Sequence, residues 1–390
     1  MQPYKIINDS MLNMLSHIEE NSIDCVITDP PYELGFMGKS WDSSGIAFQP
    51  ETWEKCFKAL KPGGYLLAFG GSRTFHRIAC AIEDAGFELR DTIMYLYGSG
   101  FPKSMSIDKA IDKKLGAERE VIGTKIRKQE FNNPDEIEQK YGFKSGKIDI
   151  TLPATDLAKQ WQGYGTALKP AFEPIIMARK PIKTTVAENV MINGVGGINI
   201  DECKVGDEER FLTPATPKKG TFNCSFDSNY DGKNVLGRFP ANIIHDGSEE
   251  AVECMGEASR YFYTAKASKK DRDEGLGGFK QKQTTRKNTH PTVKPCELMQ
   301  YLVRLVAPKG ATILDPFMGS GSTGKAVMFE NRERNADYKF IGIDLEKQYC
   351  GIAEMRIDYA LNKYEYDFKQ ELQESKEKGQ LNLFDMEENL

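Results

Sequence analysis

The residues in this chain best suited to act together chemically lie near its start, Asp29-Pro30-Pro31-Tyr32. They follow the apolar run Ile23-Asp24-Cys25-Val26-Ile27-Thr28, whose length, β-branching and terminating prolines predict a buried strand. A carboxylate at the C-terminal end of such a strand stands on the edge where open α/β sheets hold their ligands. Each proline fixes φ and lacks an N–H, so the carbonyls here are stiffly held acceptors. Tyr32 adds a flat apolar face. Two acceptors beside a stacking surface suit a planar group that carries an NH₂, such as a nucleobase. Taken alone, the tetrapeptide reads first as a strand stopped by a proline turn.

A second constellation lies near the other end. A predicted strand, Ala311 to Leu314, ends in Asp315 and is followed by Gly319-Ser320-Gly321-Ser322-Thr323-Gly324, which opens a helix. The next predicted strand, Phe340 to Ile343, ends in Asp344, twenty residues past the last glycine. Strand, glycine turn, helix, strand and acid in this order predict an adenosine-type ligand whose ribose hydroxyls are held by Asp344. A nicotinamide or flavin dinucleotide is the general reading of such glycines. Asp315, directly before the turn, would oppose a pyrophosphate; it suits a cationic ligand with an amino-acid tail. S-Adenosylmethionine has that character.

Placed side by side, the two sites describe a methyl transfer. An exocyclic base amine is a poor nucleophile because its lone pair is delocalised into the ring. Acceptors at Asp29 and the Pro30 carbonyl favour a pyramidal nitrogen and stabilise the charge developing on it. Attack on the sulfonium methyl then needs mainly alignment, with no metal and no covalent intermediate. The target base must leave its duplex, and stacking on Tyr32 offsets part of that cost.

The elements that position these residues alternate from the start. Tyr4 to Asp9 reads as a strand, and Met11, Leu12, Met14, Leu15 and Ile18 as a helical face before the strand into Asp29. Asp9 thus falls on the same edge as Asp29, where its plain role is helix capping. Glu33 to Gln49 is a long loop, a candidate lid or clamp. A helix from Thr52 to Leu60, a Lys-Pro-Gly-Gly turn at 61–64, a strand at 65–69, a helix through Ala85 and a strand from Phe87 to Tyr97 follow. This alternation predicts an α/β fold with a doubly wound, mostly parallel sheet. Residues 1–102 form its catalytic half, 103–160 an insertion with a helix near 105–117, and 161–183 a return to the sheet through Phe172 to Arg179. Residues 184–288 are an irregular target-recognition region, 289–360 the cofactor-binding half, and 361–390 a charged tail.

With 390 residues, the chain has ample length for a core plus insertions, and its net charge is −5. Its charge is unevenly distributed. Residues 258–290 carry nine basic and three acidic side chains, with Arg260, Lys266, Lys269, Lys270 and Arg272 set among Tyr261, Phe262 and Tyr263. That mixture suits phosphate contact and base stacking, and double-stranded DNA is the expected partner. Eight cysteines without a C-x-x-C pair fit reduced thiols and a cytoplasmic setting. No apolar run has the length of a membrane span, and the N-terminus lacks a basic-then-apolar signal pattern.

These residues together resemble the beta-type DNA amino-methyltransferases, in which Asp-Pro-Pro-Tyr precedes the recognition region and the cofactor loop comes last. Asp315-Pro316-Phe317-Met318-Gly319-Ser320-Gly321-Ser322-Thr323-Gly324 is similar to the family's cofactor loop. His290-Pro291-Thr292-Val293-Lys294-Pro295 is similar to the motif before it, which implies that Thr292 and Lys294 bind the methionine end. The resemblance implies adenine contacts from Asn8-Asp9 and cofactor contacts from Phe317, Gly319, Gly321, Ser322 and Thr323. Tyr164-Gly165-Thr166-Ala167-Leu168-Lys169-Pro170 through Pro181 resembles a subgroup of phages and bacterial mobile elements. Asp rather than Ser at position 29 resembles the adenine-N6 branch more than the cytosine-N4 branch, so site-specific adenine-N6 methylation is expected, with cytosine-N4 as the alternative. An oxidoreductase and a non-catalytic DNA-binding protein are more distant readings. Gln380-Leu381-Asn382-Leu383-Phe384 resembles a bacterial sliding-clamp peptide, and relatives of this arrangement imply a homodimer.

Overall fold

A computed structural model describes residues 2–34, 40–98, 100, 104–126, 147–212, 233–265, 269–276 and 288–363. Lys266 and the tail that carries Gln380–Phe384 lie outside the described residues. In chain order the strands are β1 (Tyr4–Asn8), β2 (Ile23–Thr28), β3 (Leu60–Phe69), β4 (Glu88–Leu96), β5 (Val121–Ile126), β6 (Lys147–Thr151), β7 (Phe172–Arg179), β8 (Val205–Leu212), β9 (Lys233–Arg238), β10 (Ile243–His245), β11 (Tyr263–Thr264), β12 (Thr312–Asp315) and β13 (Lys339–Asp344). The chain divides into a larger unit, Met1–Gly98, Phe172–Gln281 and Arg286–Leu390, and a smaller one, Ser99–Ala171 with Lys282–Thr285.

In the larger unit nine strands form one sheet in the order β1-β13-β12-β2-β3-β7-β4-β10-β11. Every neighbouring pair is parallel except those made by β7, which runs antiparallel to both β3 and β4. The parallel strands therefore all end on one edge, and β7 begins there, bringing Phe172-Glu173-Pro174 to the same place.

β2 is buried along all six residues, as a central strand covered on both faces must be. Its side chains alternate between two cores. Cys25 and Ile27 join Leu67, Phe69 and the helices Cys296–Val306, Ser322–Arg334 and Lys347–Leu361. Val26 joins Leu66, Ala68, Trp53, Cys56, Ile78 and Ile82 on the other face. Trp53 is wholly buried, and its indole N–H donates to the Ala47 carbonyl at 2.9 Å, which fixes the end of the 33–49 loop to the helix Pro50–Ala59.

Several elements differ from expectation. Lys61-Pro62-Gly63-Gly64 does not make a turn; it lies within β3, where the pairing with β2 shifts register between Ile23 and Cys25. The irregular register accommodates a proline that cannot donate and glycines that let neighbours approach closely, a Cβ at Gly64 meeting the Asp24 carbonyl at 2.8 Å. The return to the sheet begins at Phe172, and 161–171 group with the smaller unit. The described residues of the 184–288 region form more regular structure than their composition suggests. It holds the helix Val186–Asn193, closed by a Thr185–Glu188 capping box, and the β8–β9 hairpin. It also adds the short strands β10 and β11 to the main sheet.

The smaller unit pairs β5 with β6 beside the helices Ile107–Leu115 and Asp156–Gln160. Arg119 holds it together, reaching Asp112 at 2.6 Å and Asp108 at 2.8 Å. Among the described residues no helix is long and apolar enough to cross a membrane.

Candidate active site

Four carboxylates gather where the parallel strands end: Asp9 after β1, Asp344 on β13, Asp315 on β12 and Asp29 after β2. Strand order places Asp344, Asp315 and Asp29 side by side, because β13, β12 and β2 are consecutive neighbours.

Asp29 is one-fifth exposed, and its Oδ2 accepts from Lys294 Nζ at 2.9 Å. Its Oδ1 is buried and has no hydrogen-bond partner. Lys294 also reaches Glu173 at 3.3 Å and donates to the Tyr32 hydroxyl at 3.0 Å. The lysine is buried, and its nitrogen lies 5.3 Å from the Tyr32 ring centre and 4.8 Å from that of Phe69. Burial alone would lower its pKa, but the charges of Asp29 and Glu173 outweigh burial and hold it above the ordinary lysine value. Burial and the nearby Asp29 raise the Tyr32 hydroxyl well above its ordinary value, so it stays protonated. Gly71 lies against the Tyr32 ring, where a Cβ would come within 3.3 Å of Cδ2.

The backbone turns sharply just past Tyr32. Glu33 adopts a left-handed φ of 55°, uncommon outside glycine. Two reciprocal contacts hold it there. The Glu33 carboxylate accepts from Gly45 N at 2.8 Å, while buried Asp42 accepts from Glu33 N at 3.0 Å and Leu34 N at 3.3 Å.

The glycine loop is shaped by two further left-handed residues, Gly319 (φ 54°) and Gly321 (φ 75°). A side chain at Gly319 would meet His290 Nε2 at 2.8 Å, and one at Gly321 would meet the Ala353 Cβ at 2.8 Å. Asp344 Oδ2 accepts from Gly319 N at 2.8 Å and Oδ1 from Glu346 N at 2.8 Å. Burial pushes its pKa up to about 6 against those two donors. Asp315 is almost fully buried, with Thr28 and Thr323 hydroxyls donating at 2.7 and 2.6 Å and Phe317 N at 3.2 Å. Burial raises it to about 7, more than these donors lower it. Asp9 accepts from Ser10 N at 2.6 Å, and its own N–H donates to the Asp344 carbonyl at 3.2 Å, tying the two strand ends together. Half-buried Phe317 leans on Trp53 at 6.4 Å.

Two cations near the loop have structural partners. Lys325, fully buried in the helix Ser322–Arg334, reaches Asp271 at 2.5 Å and Glu274 at 2.9 Å. Arg356 donates to the Ser320 carbonyl at 2.7 Å. Carboxylates therefore dominate the loop's surroundings. That set would repel a pyrophosphate and fits a sulfonium bearing an adenosine, with hydroxyls for Asp344 to accept. Of the residues expected to hold the cofactor, Asp9, Asp315, Phe317, Gly319, Gly321, Ser322, Thr323 and Asp344 lie together around this loop and strand edge.

The structure separates other expected residues. Thr292 is exposed, and Lys294 contacts the catalytic tetrapeptide and Glu173. Arg272 donates to the carbonyls of Asn288 and His290, so it anchors the 288–295 segment and does not present a free guanidinium to phosphate. Tyr263 stacks on Tyr301 at 4.1 Å and belongs to the core packing. Arg260 and Lys270 are exposed; Arg260 lies beside the Tyr261 ring, which Arg238 also covers at 4.0 Å. Lys269 opens a short helix, Lys269–Asp273. Sequence reasoning missed Glu173, Glu33, Asp42 and the contact of His290 with Gly319. An acid near the start of β7, ahead of its apolar run Ile175 to Ala178, was the one signal for Glu173.

A family model described as a DNA methylase, of the N6/N4 class, matches residues 23–355. The chain belongs to the DNA amino-methyltransferase family. It is 23% identical over 368 residues to the Type II methyltransferase M.HpaI of Haemophilus parainfluenzae, covering 93% of this chain and 76% of that protein. It is 24% identical to M.HindIII of Haemophilus influenzae, covering 81% and 71%. Among solved structures, the M1.HpyAVI–SAM complex aligns at TM-score 0.40 and 17% identity, covering 91% of this chain and 98% of that one. The cytosine-N4-specific PvuII DNA methyltransferase aligns at 0.44 and 14%, covering 93% and 94%. This amino-methyltransferase uses S-adenosylmethionine and acts on DNA.

Proposed function

We propose that this DNA methyltransferase transfers the methyl group to the N6 amine of an adenine flipped into the pocket above Asp29 and Tyr32. The observation that carries the site is the unpartnered, buried Asp29 Oδ1. A buried acceptor without a donor is costly, and a target NH₂ satisfies it. With the Pro30 carbonyl as second acceptor, the amine is held by its protons while its lone pair points at the sulfonium methyl. With S-adenosylmethionine bound, the nitrogen would take the methyl as the S–CH₃ bond breaks with its electron pair left on sulfur; the charge developing on nitrogen would lie beside the Asp29 carboxylate, and the surplus N–H proton would pass through Asp29 to solvent. Tyr32 stacks on the extruded base. Adenine over cytosine rests on the carboxylate at position 29, which resembles the adenine-N6 branch, where a serine would resemble the cytosine-N4 branch. Arg260, Lys269 and Lys270 are proposed phosphate contacts, with Lys266 outside the described residues.

Incubating the full chain with DNA and S-adenosylmethionine, followed by nucleoside mass spectrometry, tests this reading. N6-methyladenine is expected, and methylcytosine in its place overturns the choice of base. Asp29→Ala should slow single-turnover transfer by about 10²–10³-fold or more while cofactor affinity is kept. A variant that keeps near-normal rates removes Asp29 from the chemistry.

A further inference from the structure

The segment 288–295 spans both halves of the site. At one end the His290 ring lies under Gly319, with Nδ1 2.7 Å from the Thr292 carbonyl. At the other, Lys294 enters the catalytic pocket and binds Asp29, Glu173 and Tyr32 at once. We propose that Lys294, counterbalanced by Glu173, is the positioning residue of the methyl-transfer site. It occupies one oxygen of Asp29 so that the other stays free for the target amine, and it fixes Tyr32 through its hydroxyl. This rests on the role of Asp29 given above and extends it to two residues outside the tetrapeptide.

Geometry requires the counterbalance. Asp29 and Glu173 lie 2.9 and 3.3 Å from the same nitrogen, so their oxygens are no more than about 6 Å apart. Without the cation, two carboxylates at that separation repel each other, and each disfavours the charged form of the other. A protonated Asp29 is a weaker acceptor and loses the charge that stabilises the transition state. Without Glu173, the full lysine charge falls on Asp29, opposing the positive charge that develops on the amine. The cluster of one cation and two anions keeps net negative charge in the pocket and leaves one oxygen aimed. Antiparallel β7 makes this possible, because only a reversed strand begins with its acid on the edge where its neighbours end.

The titratable and charged groups facing Asp29 come from every neighbouring element. They are Tyr32 on its own loop, Lys294 and His290 from the 288–295 segment, and Asp315 at the end of β12, while Glu173 from β7 and Tyr97 after β4 face the same lysine. Burial lowers His290 to about 4, so it is neutral in the working range, and Tyr32 and Tyr97 are raised. The neutralising charge on Asp29 is therefore supplied by Lys294.

The test compares single-turnover methylation of duplex DNA at saturating S-adenosylmethionine, from pH 5.5 to 9, with cofactor affinity by calorimetry. Lys294→Met should slow transfer about 100-fold at pH 7 and change cofactor Kd less than about threefold. It should also move the acidic limb of the rate profile up by about a pH unit or more. Lys294→Met with Glu173→Gln should return that limb toward its original position, and Lys294→Arg should hold it in place. Loss confined to cofactor Kd, with the saturated rate intact, overturns the proposal in favour of a methionine-end contact. Slower transfer with an unmoved limb overturns it too, since a purely structural role would do that. Should Lys294→Met fail to fold, Glu173→Gln alone decides. Its limb is expected to shift to lower pH with a rate loss of about threefold or more, and an unchanged profile overturns the idea. A fast Asp29→Ala enzyme would sink the underlying reading, whereas a slow Asp29→Ala beside a normal Lys294→Met would sink only this inference.

Discussion

Cofactor affinity should depend on pH through Asp344, with the sign set by burial. In the free protein this carboxyl titrates near pH 6, against an ordinary value of 3.8, because burial disfavours its charged form. Ribose hydroxyls are best held by a carboxylate that only accepts, so binding must first remove the proton when pH is low. At pH 7.5 almost every molecule is ionised already. At pH 5 about one in eleven is, so the apparent Kd should rise about tenfold, or about 1.4 kcal/mol, provided that the bound form titrates below 5. The folding equilibrium of the cofactor-free protein carries the opposite sign. The folded pKa lies above the unfolded one, so this group's contribution is fully present below about pH 4 and is lost as pH rises through about 6. Calorimetric titration of S-adenosylmethionine across pH 5–8, with Asp344→Asn beside the parent, reads the effect. The variant should bind more weakly and with a flatter profile. Because Asp315 also titrates in this window, near 7, the ratio of the two profiles isolates Asp344. A parent Kd that stays level from pH 5 to 8 refutes the linkage and the assignment of Asp344 to the ribose.

Two substitutions away from the reacting atoms follow from the packing. Gly321→Ala must adopt φ 75° with its new methyl 2.8 Å from the Ala353 Cβ; strain and overpacking together should cost about 2–4 kcal/mol, read as a lower thermal midpoint that saturating cofactor does not fully restore. Lys325→Met leaves Asp271 and Glu274 without their buried cation, which should destabilise the protein by about 3–5 kcal/mol in denaturant unfolding. A loss under about 1 kcal/mol would show that Arg356 and solvent satisfy those acids instead.

Much of the fold was legible because its signals are local. The β2 run, the glycine turn, Asp315 and Asp344 each announce themselves within a few residues, and the structure puts them on one sheet edge as strand–helix alternation requires. What misled was composition. Lys61-Pro62-Gly63-Gly64 carries turn residues yet runs inside β3, since pairing with β2 tolerates a shifted register there. The basic, aromatic stretch near 260 promised a uniform DNA face, but Arg272 holds backbone carbonyls and Tyr263 stacks on Tyr301. Basic and aromatic residues look alike in sequence whether they meet phosphate, carbonyls or a neighbouring ring.

The sequence by itself determined the chemistry: a rigid acceptor pair with a stacking ring, and a glycine loop flanked by acids that suits a sulfonium nucleoside. Those are properties of short segments whose backbone is set by proline, glycine and strand ends. Tertiary structure decided which charges surround the reacting amine. Lys294 and Glu173 lie 265 and 144 residues from Asp29, and nothing local to any of the three predicts their meeting. Their meeting depends on a single reversed strand, whose first residues alone point their carboxylate toward the edge where all the others finish.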